Sequence, residues 1–375
     1  MKETPASPAM FPSLDSLEAA IWPAVALLVF VITAMLVDVM VILAARFRLV
    51  DLPNRRSAHS LPTARGGGVA IVFTATVASL LAMLRWPSLA VTMTLGIVLP
   101  SLVIAAVGFL DDMRPIRPLV RLVIQVAVAA FMAFILGPES LIVLPSGGQV
   151  SLGWLTWPIT VLWIVGMINA FNFMDGSDGM AALGAVVAGL LMALLAYMSH
   201  SLAAMLIAAF AAAAAGGFLV FNWQPARVFM GDVGSGFLGT MLAAVPLLCP
   251  AEQQAMIGVP MVLCLWPYIF DPLLSVIRRI WDRENPFEPH REFLFHRLIR
   301  SGVSHARAAL LYAALAAVGG ALAIGMLNPG MPGGVRDLLP LGVVLMAAGL
   351  TFGVESRCRR VPLSPAGSSP SPVSH

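Results

Sequence analysis

Apolar runs of about 20 residues, the length that crosses a hydrocarbon core, follow one another along almost the whole chain. Eleven can be marked by length: 20–45, 66–84, 89–110, 119–136, 155–173, 180–198, 202–222, 236–250, 256–277, 308–327 and 338–354. The eighth is short and the fourth opens on Arg121, so 10–11 transmembrane helices are expected. The pattern predicts an all-α polytopic membrane protein. Residues 1–19 form a polar N-terminal tail, 20–355 the transmembrane domain, and 356–375 a tail whose Pro/Ser-rich end from Pro362 reads as disordered. Residues 1–12 are polar and proline-containing, and the run that follows is too long for a signal core, so no cleavable leader is expected.

Composition agrees with the pattern. Charged residues make up only 11% of the chain and apolar ones 59%, where a soluble domain carries about 25% charged; lipid is therefore the solvent for most of this surface. The net charge of +3 says little, but the placement of the charges says much. With loop 46–65 in the cytoplasm and the spans alternating, loops 111–118, 174–179, 223–235 and 278–307 and the C-terminus fall on that same side. All Lys and Arg except Lys2, Arg85 and Arg336 then lie inside. This positive-inside bias predicts an outside N-terminus and an inside C-terminus. Cys249, Cys264 and Cys358 are far apart, mostly in apolar runs, and read as small apolar residues.

The same side collects the polar motifs. A carboxylate near lipid is costly unless solvated, paired or metal-bound, so acids at span ends mark candidate functional sites. Asp111-Asp112 closes the third run; adjacent carboxylates repel, so one can hold a proton or act as a base, while the plainer reading is two loop acids offset by Arg114 and Arg117. In the segment Asn169-Ala-Phe-Asn172-Phe-Met-Asp175-Gly-Ser-Asp178-Gly, polar residues recur every three positions. If the segment is helical, Asn169, Asn172, Asp175 and Asp178 share one stripe. Asp232 lies among Gly231, Gly234 and Gly236, whose open backbone suits phosphate oxygens while the carboxylate suits a hard divalent cation. Phe229 and Trp223 offer stacking faces; for Trp223 an interfacial anchor is the simpler reading. His290-Arg291 stands apart from the span ends in an arginine-rich loop and offers a phosphate contact. His59 and Arg65, before the run Gly66-Gly67-Gly68, read equally as a second anion contact or as a helix cap.

The order of these motifs carries a resemblance. Arg-Ser-x-His-x-x-Pro-Thr-x-Arg-Gly-Gly from Arg56, Gly-Phe-Leu-Asp-Asp from Gly108, Asn-x-x-Asn-Phe-Met-Asp-Gly-x-Asp-Gly from Asn169, Phe-Asn-Trp-x-Pro-Ala-Arg-Val-Phe-Met-Gly-Asp-x-Gly-Ser from Phe221 and a late His-Arg loop resemble the polyprenyl-phosphate N-acetylhexosamine-1-phosphate transferase family, glycosyltransferase family 4, over residues 20–355. The resemblance implies a cytoplasmic active-site cleft in a multi-pass protein of the bacterial inner membrane. It also implies Mg²⁺ or Mn²⁺, a UDP-N-acetylhexosamine donor, undecaprenyl phosphate as acceptor and release of UMP. Partners are then these substrates and the bilayer, with a homodimer allowed and no nucleic acid. Carried over by position, Asp232 with Asp175 would serve the metal, and Asp111, Asp112, Asp175, Asp178 and His290 would be catalytic. Asn169, Asn172, Phe229, Arg291, His59 and Arg65 would bind substrate. Phosphoryl transfer by direct attack and a covalent aspartyl-phosphate route both remain open.

The chain departs from the peptidoglycan branch, which transfers phospho-MurNAc-pentapeptide and resembles it in motif order. Its only lysine is Lys2, and Phe293 stands where such relatives more often place a histidine. This favours the branch that initiates O-antigen or other surface polysaccharides and leaves the role of His296 open. A lipid-intermediate transporter is the alternative from another class. It requires polar groups at mid-membrane depth, for which only Asp38 and Asp271 qualify. An inactive scaffold is at odds with the intact set of carboxylates.

Overall fold

The structure is a computed structural model and describes residues 16–47, 50–51, 63–64, 66–138, 141–143, 146, 148–249, 251–285 and 292–361. Eleven of its helical segments are long and apolar enough to cross a membrane, and they coincide with the eleven runs read from hydropathy. In chain order these are α1 (Ser16–Phe47), α2 (Gly68–Arg85), and a short α3 (Ala90–Met93) that continues through a π-helical stretch, Thr94–Val98, into α4 (Leu99–Met113). Then follow α5 (Pro118–Leu136), α6 (Thr156–Met174), α7 (Met180–Met198), α8 (Leu202–Asn222), α9 (Gly231–Ala244) and α10 (Ala251–Trp281). A seven-residue α11 (Leu294–Arg300) precedes the last two spans, α12 (His305–Met326) and α13 (Gly333–Arg360). Among the described residues, two short antiparallel ladders, β1 (Val50–Asp51) with β2 (Thr63–Ala64) and β3 (Leu141–Val143) with β4 (Gln149–Ser151), and three 3₁₀ turns, Pro87–Leu89, Gly153–Leu155 and Pro246–Leu248, lie between the helices.

Helix α9 sits at the centre, packed by α4, α6, α2 and α8. Every residue from Val233 to Ala244 is buried. Small residues make this possible. A Cβ on Gly108 of α4 would collide with the carbonyl of Asp232, one on Gly68 would meet the Gly234 backbone at 2.6 Å, and one on Gly239 would meet the Met167 carbonyl at 2.7 Å. Close backbone approach of this kind drives helix association in lipid, where apolar burial alone gains little. Helix α9 continues through a 3₁₀ turn, Pro246–Leu248, and the resulting span Gly231–Leu248 is almost wholly enclosed by protein. The chain of packing continues outward through α7, α10 and α12, while α1 and α13 lie at the edge with mostly exposed apolar faces.

The eighth span begins earlier than its hydropathy indicates. Glycines and Asp232 dilute the apolar signal from 231 to 235, yet these residues form the first turn of α9 rather than a turn ahead of it. Asp111 and Asp112 likewise belong to the last turn of α4, not to the loop beyond. Pro115 then ends α4 and Pro118 opens α5.

Candidate functional site

The C-terminus of α4, the start of α5, the C-terminus of α6 and the N-terminus of α9 converge at the end of the bundle that carries the basic loops. Asp112 binds α9 end-on. Its two carboxylate oxygens accept the N–H groups of Asp232 (3.2 Å) and Val233 (3.3 Å), so a side chain from α4 supplies the N-terminal cap that α9 lacks in its own sequence. Gly231, with φ of +73°, bends the chain into this helix, and a Cβ there would stand 2.5 Å from the Asp112 Oδ2.

Arg121, in the first turn of α5, bridges the other two carboxylates. One guanidinium nitrogen donates to Asp111 and, at 2.8 Å, to Asp232. Asp111 also accepts from the Ile116 N–H at 2.6 Å. Arg121 is 24% exposed, so the ion pairs are only partly screened by water. From sequence this arginine is only a charge that opens the fourth apolar run; in the structure it joins two of the candidate carboxylates. Its sole local signal was a charge just inside an apolar run.

Asp175 caps the C-terminus of α6 and faces Asp112 and Asp232. Enclosure by the protein, and after it the negative charges of Asp232 and Asp112, push its carboxyl well above the usual carboxylate range. Asn172, one turn earlier, donates to the Ser235 hydroxyl at 3.4 Å and lines the same cleft as Asp232. Ile104, Val107, Gly108, Arg121, Gln125, Ile168 and Gly236 complete that cleft.

The four-residue polar stripe predicted from Asn169 to Asp178 does not form. Helix α6 stops at Met174, and a turn through Gly179 (φ +72°) starts α7. Asp178 is thereby turned elsewhere: it accepts the Ala226 N–H at 3.2 Å and lies 3.8 Å from the His305 ring, whose Nδ1 receives the Ser177 hydroxyl and the Asp178 N–H. The Ala226 bond fastens the 175–179 turn to the 223–228 segment, as do the Asn222 bonds to the Gly179 N–H and Val228 carbonyl, while His305 ties the turn to the start of α12. Trp223, read as an anchor, packs its ring against Gly179. Asn169 points at Gln125, donating to its Oε1 at 2.7 Å.

Phe229 is partly exposed, two residues before Gly231, and its backbone is paired with Ala64 and Gly67. His296, left without a role by the sequence, lies in the first turn of α11. A Cβ on Gly176 would be 2.9 Å from its Nε2, so the ring adjoins the Asp175 turn. His59, Arg65, His290 and Arg291 lie outside the described residues.

The two mid-membrane acids fit a carrier poorly. Asp271 is 0% exposed, and its carboxylate is saturated by Leu294 N–H (2.6 Å), Phe295 N–H (3.1 Å) and the Tyr312 hydroxyl (2.6 Å). Asp38 is half-exposed beside Arg227 at 3.8 Å. Ionised groups gathered at one end of a bundle of membrane-crossing helices define a multi-pass membrane enzyme. A model of glycosyl transferase family 4 matches residues 94–249, a stretch containing Asp111, Asp112, Arg121, Asn172, Asp175 and Asp232. The chain is 32% identical over 291 residues to a probable undecaprenyl-phosphate N-acetylglucosaminyl 1-phosphate transferase of Bacillus subtilis, covering 76% of this chain and 80% of that one. It is 31% identical over 348 residues to a decaprenyl-phosphate N-acetylglucosaminephosphotransferase of Mycolicibacterium smegmatis, covering 82% of each. To a phospho-N-acetylmuramoyl-pentapeptide-transferase of Streptococcus thermophilus it is 36% identical over 187 residues, 45% of this chain and 53% of that one. The chain belongs to glycosyl transferase family 4.

Proposed function

We propose that the protein transfers an N-acetylhexosamine-1-phosphate from a UDP-sugar to a polyprenyl phosphate such as undecaprenyl phosphate, releasing UMP. The observation that carries this reading is the Arg121 bridge between Asp111 and Asp232 at the N-terminus of α9. There the guanidinium offers its remaining N–H groups to a phosphate at the edge of the lipid, and the carboxylates gathered around it suit a divalent cation that would accompany the phosphates. An oxygen of the acceptor phosphate attacks the β-phosphorus of the donor, forming one P–O bond. The bond from that phosphorus to the bridging oxygen breaks, and UMP departs with the electron pair. The protein supplies position and electrostatics, as in other phosphoryl transfers. Arg121 holds the acceptor phosphate and offsets its charge. Asp111 stands beside that phosphate to take its proton when it carries one. Asp112 keeps α9 in place through its two backbone bonds, and Asn172 with Phe229 offers amide and ring to the uracil.

Among the described residues no three His, Cys, Asp or Glu side chains form a preformed metal cage. Asp232 and Asp175 still suit Mg²⁺, or Mn²⁺ in its place: they are hard oxygen donors facing one another, their repulsion is relieved by a cation, and Mg²⁺ commonly takes one or two carboxylates together with substrate phosphates. Bound there, the metal would neutralise charge on the pyrophosphate.

The surface-polysaccharide branch, including O-antigen initiation, is supported over the peptidoglycan branch by the longer match to N-acetylglucosamine-phosphotransferases and by Phe293. Phe293 is buried and stacked on Phe295 where a polar side chain would be expected for the pentapeptide donor. The positive-inside bias supports a plasma-membrane protein with its site facing the cytoplasm. Purified protein with undecaprenyl phosphate and a panel of UDP-N-acetylhexosamines should release UMP in the presence of Mg²⁺, and Asp232→Asn should nearly abolish release. Absence of UMP with every donor, from protein that unfolds cooperatively, would overturn the proposal; wild-type turnover by Asp232→Asn at low Mg²⁺ would remove Asp232 from the metal.

A further inference from the structure

Gln125 is 8% exposed and lies one helical turn beyond Arg121 on the same face of α5, lining the cleft with Arg121, Asn172 and Asp232. The orientation of its amide follows from its neighbours. One end of the Asn169 side chain meets the Val165 carbonyl at 2.8 Å and the Gln125 amide at 2.7 Å. A carbonyl only accepts, so that end of Asn169 is its NH₂ group, and the Gln125 atom facing it is the oxygen. The NH₂ group of Gln125 is therefore turned the other way, and among the described residues it meets no acceptor. It opens on the cleft that Gln125 lines, where a ligand can accept from it.

Depth tells which substrate would supply the acceptor. Gln125 lies about 6 Å further along α5 than Arg121, on the side away from the loop that joins α4 to α5. At that level the cleft is lined by Ile104, Val107 and Ile168. A ligand there carries an oxygen-rich head next to apolar substance, which describes the phosphate of a lipid and not a nucleotide. We infer that Gln125 donates a hydrogen bond to the phosphate of the lipid acceptor, and that Asn169 is the positioning residue that holds the amide in its donating orientation. The inference rests on the transfer reaction proposed above and adds to it a contact that carries no charge.

The informative variant is Gln125→Glu. A glutamate oxygen accepts from Asn169 as the glutamine oxygen does, so a merely structural role survives, while the group facing the cleft changes from donor to anionic acceptor. With the full chain in nanodiscs, the KM for undecaprenyl phosphate should rise roughly 10- to 100-fold, the loss expected for a hydrogen bond to a charged group. UDP-sugar affinity by calorimetry should be unchanged. Gln125→Met, which adds no buried charge, should shift the same KM and serves where the Glu variant fails to unfold cooperatively. Asn169→Asp should act in the same direction, since a carboxylate draws the Gln125 NH₂ group towards itself and leaves an oxygen at the cleft. A folded Gln125 variant with wild-type acceptor KM would overturn the inference and leave the amide to an ordered water. Loss of donor affinity with unchanged acceptor KM would overturn it as well. Wild-type protein that releases no UMP refutes the transfer reaction itself, a separate result.

Discussion

Replacing Asp271 by Asn exchanges one oxygen for NH₂ in a fully buried side chain, and it should unfasten α11. One carboxylate oxygen accepts the Leu294 N–H and the other accepts the Phe295 N–H and the Tyr312 hydroxyl. Together they cap the short helix whose first turn carries His296 to the Asp175–Gly176 turn. In the variant the amide NH₂ must oppose one of the two backbone N–H groups whichever way it turns. That bond, to a charged acceptor, is worth about 1.5–3 kcal/mol. The surviving backbone bond becomes a neutral one and weakens by about half, so the loss sums to roughly 2–4.5 kcal/mol, a large share of a typical folding stability of about 5–15 kcal/mol. Tyr312→Phe removes only the hydroxyl and leaves both backbone bonds, so it should lower the unfolding temperature less and keep the position of α11. Thermal unfolding of the detergent-solubilised protein reads the first quantity and UMP release the second. The Asn variant should lose both stability and turnover, and the Phe variant mainly stability. An Asn variant that melts with the wild type and turns over normally would show that α11 is held by other contacts.

Gly231→Ala should depress turnover more than stability, because a left-handed residue strains by about 1–2 kcal/mol while the new Cβ, 2.5 Å from Asp112, dislodges the cap of α9; an unchanged kcat would refute this. Phe229→Ala should weaken UDP-sugar binding in calorimetry by roughly 1–3 kcal/mol and leave the acceptor KM alone, and the reverse pattern would remove Phe229 from the nucleobase. In a Cys358→Ser background, Asp282→Cys and Ser146→Cys, both at exposed positions, should react with impermeant thiol reagents from opposite faces of sealed vesicles. Labelling from one face would break the alternation of spans.

The spans were legible because apolar length alone specifies them: lipid demands about 20 residues, and nothing distant can alter that count. The start of α9 was not. Its Gly231-Asp-Val-Gly-Ser-Gly236 sequence has low helix propensity, and only the close backbones of α2, α4 and α6, together with the Asp112 cap, make the helical conformation the favourable one. The Asn169–Asp178 stripe failed for the opposite reason. Spacing of three suggested a helical face, but the left-handed backbone at Gly179 sends Asp178 to Ala226 and His305 instead. Asp111, Asp112, Asn172, Asp175 and Asp232, singled out because carboxylates at the ends of apolar runs need a reason to be there, do lie together at one end of the bundle.

Arg121 shows where local reasoning must stop. An arginine just inside the basic end of a span satisfies the positive-inside rule whether its guanidinium meets water, lipid phosphate or protein, so no sequence window separates these cases. Asp111 is ten positions away and within view; Asp232 is 111 positions away, and the two meet only because Gly108 lets α4 and α9 approach. The same arrangement gives Arg121 its chemistry. Shared between two carboxylates, the guanidinium is held in one orientation without being buried, so it reaches an incoming phosphate at little further loss of side-chain entropy. A lysine at this place would have a single point charge to divide among three anions. The planar fork can keep Asp111 and Asp232 on one nitrogen and turn its remaining N–H groups to the cleft that Gln125 also lines.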